Sequence, residues 1–399
     1  MAYNTHIVKV TKDLYLLRFD DHNTKYFEAL WEIPEGITYN SYLLTTSEGA
    51  VVFDTWKKGL EEQYIESLNN VVDLRDIRYI VVHHMEPDHS GCVKKLVEIS
   101  NAKVLGHQLA GKMMSSFYNF HFDFKPINDN EEMSIGEYRI RFTHTPWLHW
   151  PETIMSYVVE NKVLLSCDAF GSYGVFNKFF YDELDESEKG NYRKFVRKYF
   201  ANIIGSYRDW VVKNMDKIAS RNIVPNIIAP SHGLVFRDGN VAEILDMYRQ
   251  LGLGVTSKDK LVVIYSSMYG FVKELIEQLK DKIAGIGMEF KTFGFTDTYR
   301  DALSEMVSEA YDSWKIIIAT SAYDAKAFPI IRHVVNVISR KTPRNKSVVV
   351  IVLSGWGVRV GDEIVKVFKE AGYTSIDLVE FPVGEQDKYI HKILDLITR

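Results

Sequence analysis

Between Val82 and Gly91 the chain reads VHHMEPDHSG, with three histidines, a glutamate and an aspartate packed into one short stretch. It follows the apolar run RYIVV and reads as a loop leaving a strand and entering a helix. One histidine in such a loop is usually structural. Four ligand-type side chains in six positions, His84, Glu86, Asp88 and His89, point instead to a metal ion. His83 has no matching role and reads as structural, while Pro87 and Gly91 shape the loop.

Three more candidates stand at predicted strand exits: His149 in TPWLHWPET, Asp168 in LLSCDAFG and His232 in APSHG. Each alone is weak, since Asp ends many strands and His-Gly is a common turn dipeptide. Together the seven supply four imidazoles and three carboxylates. That exceeds the needs of one tetrahedral ion and suits two ions sharing a bridge. Two-metal sites hold their ions about 3.5–4 Å apart, a spacing that one carboxylate spans. Aromatic residues crowd these segments, Trp147 and Trp150 beside His149 and Phe170 and Tyr173 after Asp168, and read mainly as packing.

The elements that must position these residues fall into two styles. Short strands such as HIVKV, LYLLRF, NSYLLTT and AVVFDT open the chain, and helix–strand alternation follows from Trp56. A long helical region is expected from about Glu186 to Ser220. This implies an αββα sandwich over residues 1–254. LGLGVTSKDK is the linker candidate, and beyond it lie continuous apolar strands joined by helices. Residues 255–399 are therefore expected to form a doubly wound parallel sheet, giving an α/β protein of two domains.

The 399 residues carry a net charge of −5 and no basic tract, which argues against nucleic acid or an anionic membrane surface as partner. No signal peptide or spanning apolar run is seen. Two cysteines, Cys92 and Cys167, exclude a disulfide scaffold and paired C-x-x-C metal sites. A reducing, cytoplasmic setting is expected.

A second site is marked by three loops at strand ends of the C-terminal half. The first, in LVVIYSSMYGFVKEL, offers Ser266, Ser267, Met268, Tyr269, Gly270 and Phe271 at a helix N-terminus, where free N–H groups and the helix dipole suit a phosphate. It is not a P-loop. The second, in ATSAYDAKAFP, offers Ser321, Ala322, Tyr323 and Asp324; the third, in LSGWGVRVG, offers Ser354, Gly355, Trp356 and Gly357. Small residues admit a flat ligand, and Tyr323 or Trp356 could stack on it.

H-x-x-x-D-H followed by a later His, a strand-end Asp and a final His resembles the metallo-β-lactamase fold. Glu86, where zinc hydrolases of that fold usually carry a histidine, together with HWP around His149 and IPEGITYNSYLL near the start, resembles the flavodiiron proteins. The three later loops resemble those of flavodoxin, which bind FMN. The resemblance spans nearly the whole chain. It implies that His84, Glu86 and His149 bind one iron, that Asp88, His89 and His232 bind the other, and that Asp168 bridges. It also implies Tyr199 as a proton donor, with Phe200 standing where the family often has a second tyrosine. In the flavodoxin phosphate loop a threonine usually lies two residues after the glycine; here Val272 does, leaving Ser266, Ser267 and backbone amides to hold the phosphate.

The implied activity is reduction of dioxygen to water or nitric oxide to nitrous oxide. Electrons would pass from an external donor, rubredoxin or reduced deazaflavin coenzyme, through FMN to two irons. A head-to-tail homodimer or a dimer of dimers is implied as well. Glu86 adds a negative charge and a hard oxygen donor, which favours a redox metal that reaches the ferric state. The rival readings are a zinc hydrolase of thioester or lactone type with an accessory flavodoxin domain, and a flavin-carrying sensor with a structural metal.

Overall fold

Along the early strands, apolar side chains occupy both alternating sets of positions, so each sheet needs cover on both faces. A computed structural model describes residues 4–284, 287–357 and 359–399. Residues up to Phe27, Ile33–Phe200 and Tyr207–Leu253 form one unit; Glu28–Glu32, Ala201–Ser206 and Gly254–Arg399 form the other. Among the described residues no helix is long and apolar enough to cross a membrane.

The first unit stacks two sheets. One runs in chain order through β1 (Thr5–Lys9), β2 (Leu14–Asp21), β3 (Ile37–Thr46), β4 (Gly49–Phe53), β5 (Ile77–Val82), β6 (Lys103–Gly106) and β7 (Phe124–Pro126). The other runs through β8 (Glu132–Ile135), β9 (Tyr138–His144), β10 (Ile154–Val158), β11 (Val163–Cys167), β12 (Ile227–Pro230) and β13 (Phe236–Arg237). Leu16, Leu44, Val51 and Val81 of the first sheet meet Phe142, Ile154 and Leu165 of the second in one core. Each such burial contributes roughly 1.5–3 kcal/mol. The alternate set, Leu17, Leu43, Val52 and Ile80, is equally buried, as a sheet covered on its outer face requires.

The helices of this unit are α1 (Glu61–Asn69), α2 (Pro87–Ser90), α3 (Val93–Ser100), α4 (Gln108–Tyr118), α5 (Glu186–Tyr199), α6 (Arg208–Ser220) and α7 (Asn240–Leu253). The expected single helical stretch from Glu186 to Ser220 is interrupted by a π turn at Phe200–Ile204 and a 3-10 turn at Gly205–Tyr207. At Gly205 the backbone passes so close to the Lys341 carbonyl that a Cβ would lie 2.6 Å from its oxygen. The linker is also shorter than LGLGVTSKDK suggested. Helix α7 continues to Leu253 and is ended by Gly254 at φ +71°, and the next strand begins at Ser257.

In the second unit β14 (Ser257–Ser267), β15 (Glu289–Thr296), β16 (Ser313–Tyr323), β17 (Ser347–Ser354) and β18 (Ser375–Pro382) lie in the order β15-β14-β16-β17-β18. All four pairings are parallel. This is the flavodoxin-like 2-1-3-4-5 order, whose direction reverses between the first and third strands. Leu261, Val263, Ile317 and Val349 pack on Leu275 and Leu279 of α8 (Phe271–Ala284), α9 (Leu303–Asp312), α10 (Pro329–Lys341) and α11 (Gly361–Glu370) complete the crossovers, and α12 (Gln386–Thr398) follows the last strand. The chain is thus an α/β protein with a metallo-β-lactamase-like sandwich and a flavodoxin-like sheet.

One buried charge ties the first sheet to the long excursion after β11. Arg18 is fully buried and donates to Asp20 Oδ1, the Lys178 carbonyl and the Phe176 carbonyl, each at 2.6 Å. Burial pushes the Asp20 carboxyl up, but its hydrogen bond with His6 and the Arg18 charge hold it below its ordinary value. Removing one partner of a buried pair strands the other. Arg18→Ala is expected to destabilise this unit by about 3–5 kcal/mol, read as a lowered denaturation midpoint. An unchanged midpoint would show that the pair is dispensable.

Candidate functional site

Helix α2 is one turn long and begins with Pro87, which fixes the backbone between Glu86 and Asp88. Gly91 closes the loop where a Cβ would lie 2.0 Å from the Lys58 amide nitrogen, so no larger residue fits. The remaining candidates come from the second sheet. His149 precedes β10, and Asp168 follows β11 at a register shift between Leu165 and Cys167. His232 follows β12, whose end is held by Asn40 Nδ2 donating to the Pro230 and Gly233 carbonyls at 2.9 Å each.

All seven side chains meet in one buried pocket, in two groups that share Asp168. In the first, His84 Nε2 lies 3.3 Å from Glu86 Oε2 and 3.7 Å from Asp168 Oδ2, and His149 Nε2 lies 3.0 and 3.8 Å from the same two atoms. In the second, His89 Nε2 lies 3.4 Å from Asp88 Oδ1 and 3.0 Å from Asp168 Oδ1, and His232 Nε2 lies 3.3 Å from Asp88 Oδ2 and from Asp168 Oδ1. Ligands of one ion at about 2.0–2.2 Å stand roughly 3–3.5 Å apart, so both groups have coordination-sphere dimensions. Both Asp88 oxygens and His232 Nε2 are buried without a proper hydrogen bond. A buried orphan of that kind calls for a partner, and a cation would satisfy all three atoms.

The electrostatics agree. Burial alone would lower the imidazoles, yet the surrounding carboxylates win: His84 is raised by its hydrogen bonds to Glu152 and Glu86, and His232 is pushed up to about 10 by Asp168 and Asp88. Against burial, the histidines hold Glu86 and Asp168 well below the usual carboxylate range. The pocket demands positive charge.

Residues outside the seven fix their aim. His232 donates from Nδ1 to the Thr38 carbonyl at 2.7 Å, which turns Nε2 towards Asp88 and Asp168. Glu152 Oε1 does the same for His84 at 2.8 Å. Asp54, at φ +53° just past β4, accepts from the His83 amide at 2.8 Å and pairs with His83 Nδ1 at 2.7 Å. His83 Nε2 continues to Ser156 Oγ at 2.8 Å, so this histidine is structural. Asp54 also accepts from Ser231 Oγ at 3.5 Å and lies within 4.8 Å of ligand atoms of His89 and Cys167. One carboxylate thus anchors the residues directly before His84 and His232. Neither Asp54 nor Glu152 stood out in the sequence; the only cue was a carboxylate at a strand edge beside a ligand-rich segment.

The aromatic side chains form the wall. Trp150 packs edge-on against His84, with ring centroids 4.7 Å apart, and Phe27 and Tyr39 meet the His232 ring. Tyr199 donates to Asp168 Oδ1 at 2.7 Å, and burial together with the Asp168 charge raises its hydroxyl well above the ordinary tyrosine value. Phe170 packs on Tyr248 and Trp147 stacks on Tyr207, which is packing only.

In the second unit the three loops leave the C-terminal ends of β14, β16 and β17, at the switch point of the sheet. Ser267 Oγ accepts from the Lys273 amide at 3.1 Å, while Ser266 is buried with its hydroxyl on Thr320 Oγ1 at 2.8 Å. Ser266 thus commits its hydroxyl to Thr320, whereas Ser267 and the segment Met268–Phe271 form the turn into α8. At Gly270, with φ +90°, an added Cβ would meet only Glu274 Oε1, at 3.6 Å, and a Cβ on Gly355 or Gly357 would meet nothing within 4 Å. Asp324 turns the chain at φ +48° beyond Ser321, Ala322 and Tyr323, and Ser354 ends β17. Tyr269 and Trp356 are 79% and 67% exposed, large rings left mostly uncovered by the described residues. A cradle of small residues between uncovered aromatics fits a flat phosphorylated ligand such as FMN.

Residues 37–233 match the family described as ODP family beta lactamase. A mutant flavo di-iron protein from Thermotoga maritima is similar over 98% of both chains, with a TM-score of 0.90 and 30% identity. The nitric oxide reductase of Moorella thermoacetica is 28% identical, over 88% of this chain and 86% of its own. The rubredoxin-oxygen oxidoreductase of Megalodesulfovibrio gigas is 26% identical, over 85% of this chain and 83% of its own.

Because Asp54 holds two ligand segments at once, Asp54→Ala is expected to weaken metal retention about 10–100-fold in a chelator competition. Retention equal to that of the unsubstituted chain would show that the segments hold themselves.

Proposed function

This chain belongs to the flavodiiron protein family, and on that premise we propose that it reduces dioxygen to water or nitric oxide to nitrous oxide with electrons from an external donor. The observation that carries this reading is the pair of His–carboxylate groups sharing Asp168, one of them built with Glu86 rather than a further imidazole. When bound, two irons and FMN supply the redox equivalents, which histidine and carboxylate side chains cannot. FMN and the irons together hold four electrons, enough for dioxygen.

The chain's own residues do the rest. His84, Glu86 and His149 would hold one iron, and Asp88, His89 and His232 the other. Asp168 faces one group with Oδ2 and the other with Oδ1, which suits a bridge. Glu86 contributes an anionic oxygen that favours the higher oxidation state. The Tyr199 hydroxyl keeps its proton and commits it to Asp168 Oδ1, which orients the bridging carboxylate and leaves a proton beside the pocket. Phe27, Tyr39 and Trp150 exclude bulk water, which suits a small uncharged gas. In the second unit Ser267 and the backbone amides that follow would hold the phosphate, and Tyr323 or Trp356 would cover the ring.

Rubredoxin is the first candidate donor and reduced deazaflavin coenzyme the second. A head-to-tail homodimer in the cytoplasm completes the proposal.

The deciding measurement is metal and flavin content with a visible spectrum before and after anaerobic reduction. About two irons and one FMN per chain are expected, followed by oxygen and nitric oxide consumption. Zinc that persists after iron-supplemented expression, with no flavin, would overturn the reading. Glu86→His is expected to lower iron occupancy or turnover by about tenfold or more while the chain stays folded. Asp168→Ala should release both irons together; loss of one alone would rule out the bridge.

A further inference from the structure

Glu152 lies two residues ahead of β10 and is fully buried. Its Oε1 receives two hydrogen bonds, from His84 Nδ1 at 2.8 Å and from the Met85 amide at 3.0 Å. Its Oε2 is buried and has no hydrogen-bond partner among the described residues. A carboxylate in that position costs several kcal/mol unless positive charge compensates it. Its one ion-pair contact among the described residues is His84, whose other nitrogen faces Glu86 and Asp168.

The imidazole thus stands between one carboxylate behind it and two in front. A carboxylate accepts and does not donate, so the Glu152 contact places the His84 proton on Nδ1. In the neutral ring the Nε2 lone pair is then aimed at the Glu86 and Asp168 oxygens, an arrangement that repels unless a metal ion or a second proton lies between them. The Glu152 charge reaches that cation through the ring and makes His84 a stronger donor. The Trp150 edge against His84, and a Glu152 side chain with no exposure, keep water from screening the interaction.

Building on the diiron reading above, we propose that Glu152 is a positioning residue that sets the His84 tautomer and, through His84, favours the oxidised state of the metal held at Glu86 and His149. The backbone supports this role. The Ile154 amide donates to the His83 carbonyl at 3.0 Å, so the Glu152 and His84 segments are tied together whatever occupies the pocket.

Two variants test it. Glu152→Gln retains an oxygen able to accept from His84 and Met85 but removes the charge; Glu152→Ala removes both. Redox titration of the iron-loaded protein is expected to show the Gln variant with two irons and a more positive midpoint for the diiron centre, with the flavin midpoint unmoved. The Ala variant is expected to lose iron(II) to a chelator about 10–100-fold more readily, and from one of its two positions. Midpoints and iron retention equal to the unsubstituted protein in both variants would overturn the proposal. If Glu152→Ala fails to fold, the Gln titration decides alone. Cobalt(II) titration separates the two readings: if the unsubstituted chain takes up no iron, the diiron reading fails. Cobalt absorption bands that differ between the unsubstituted chain and Glu152→Gln still support the action of Glu152 on His84, and identical bands refute it.

Discussion

Three carboxylates cannot crowd into a largely buried pocket unless positive charge lies among them, and the N-terminal unit is arranged around that constraint. Glu86, Asp88 and Asp168 converge on His84, His89, His149 and His232. The imidazoles relieve part of the repulsion, and the orphaned oxygens of Asp88 mark what is left. Metal binding is therefore coupled to the conformation of the loop between His83 and Gly91, since a preformed site without the ion is electrostatically poor. The surrounding groups, Asp54, Thr38 and Glu152, hold the ligands in place against that repulsion.

The two units solve the problem of positioning in different ways. The sandwich brings side chains from far-apart sequence to the exits of β5, β11 and β12, where two sheets end near each other. Its site is deep, charged and built from side chains. The parallel sheet uses its topology: reversal of strand order opens a crevice beyond β14 and β16, and mostly backbone and small residues line it. That site is shallow and rimmed by exposed rings.

Much of this was readable from residue types. The His84–His89 cluster is visible because its members share one loop, and the continuous apolar strands after residue 257 announce a parallel sheet. What stayed hidden depends on tertiary contacts. Asp54 and Glu152 are ordinary acidic residues until folding sets them behind His83 and His84. The hydroxyl of Ser266 is legible as a residue type, whereas its direction, towards Thr320, is set by strand pairing. The break after Tyr199 was masked because apolar spacing continues through the π turn, while the close approach at Gly205 comes from a residue far along the chain.

The position of β12 carries a consequence for biosynthesis. This strand pairs in parallel with β11, and the Ser231 amide donates to the Cys167 carbonyl at 2.9 Å, beside Asp168. A nascent chain that has emerged only through Asp168 thus exposes most of the ligands without the neighbour that holds the Asp168 turn in place. His232, the last ligand, arrives on the same segment that completes the sheet. The ligand set is therefore incomplete until nearly the whole first unit has left the ribosome, and the second metal position in particular closes only when β12 joins its sheet.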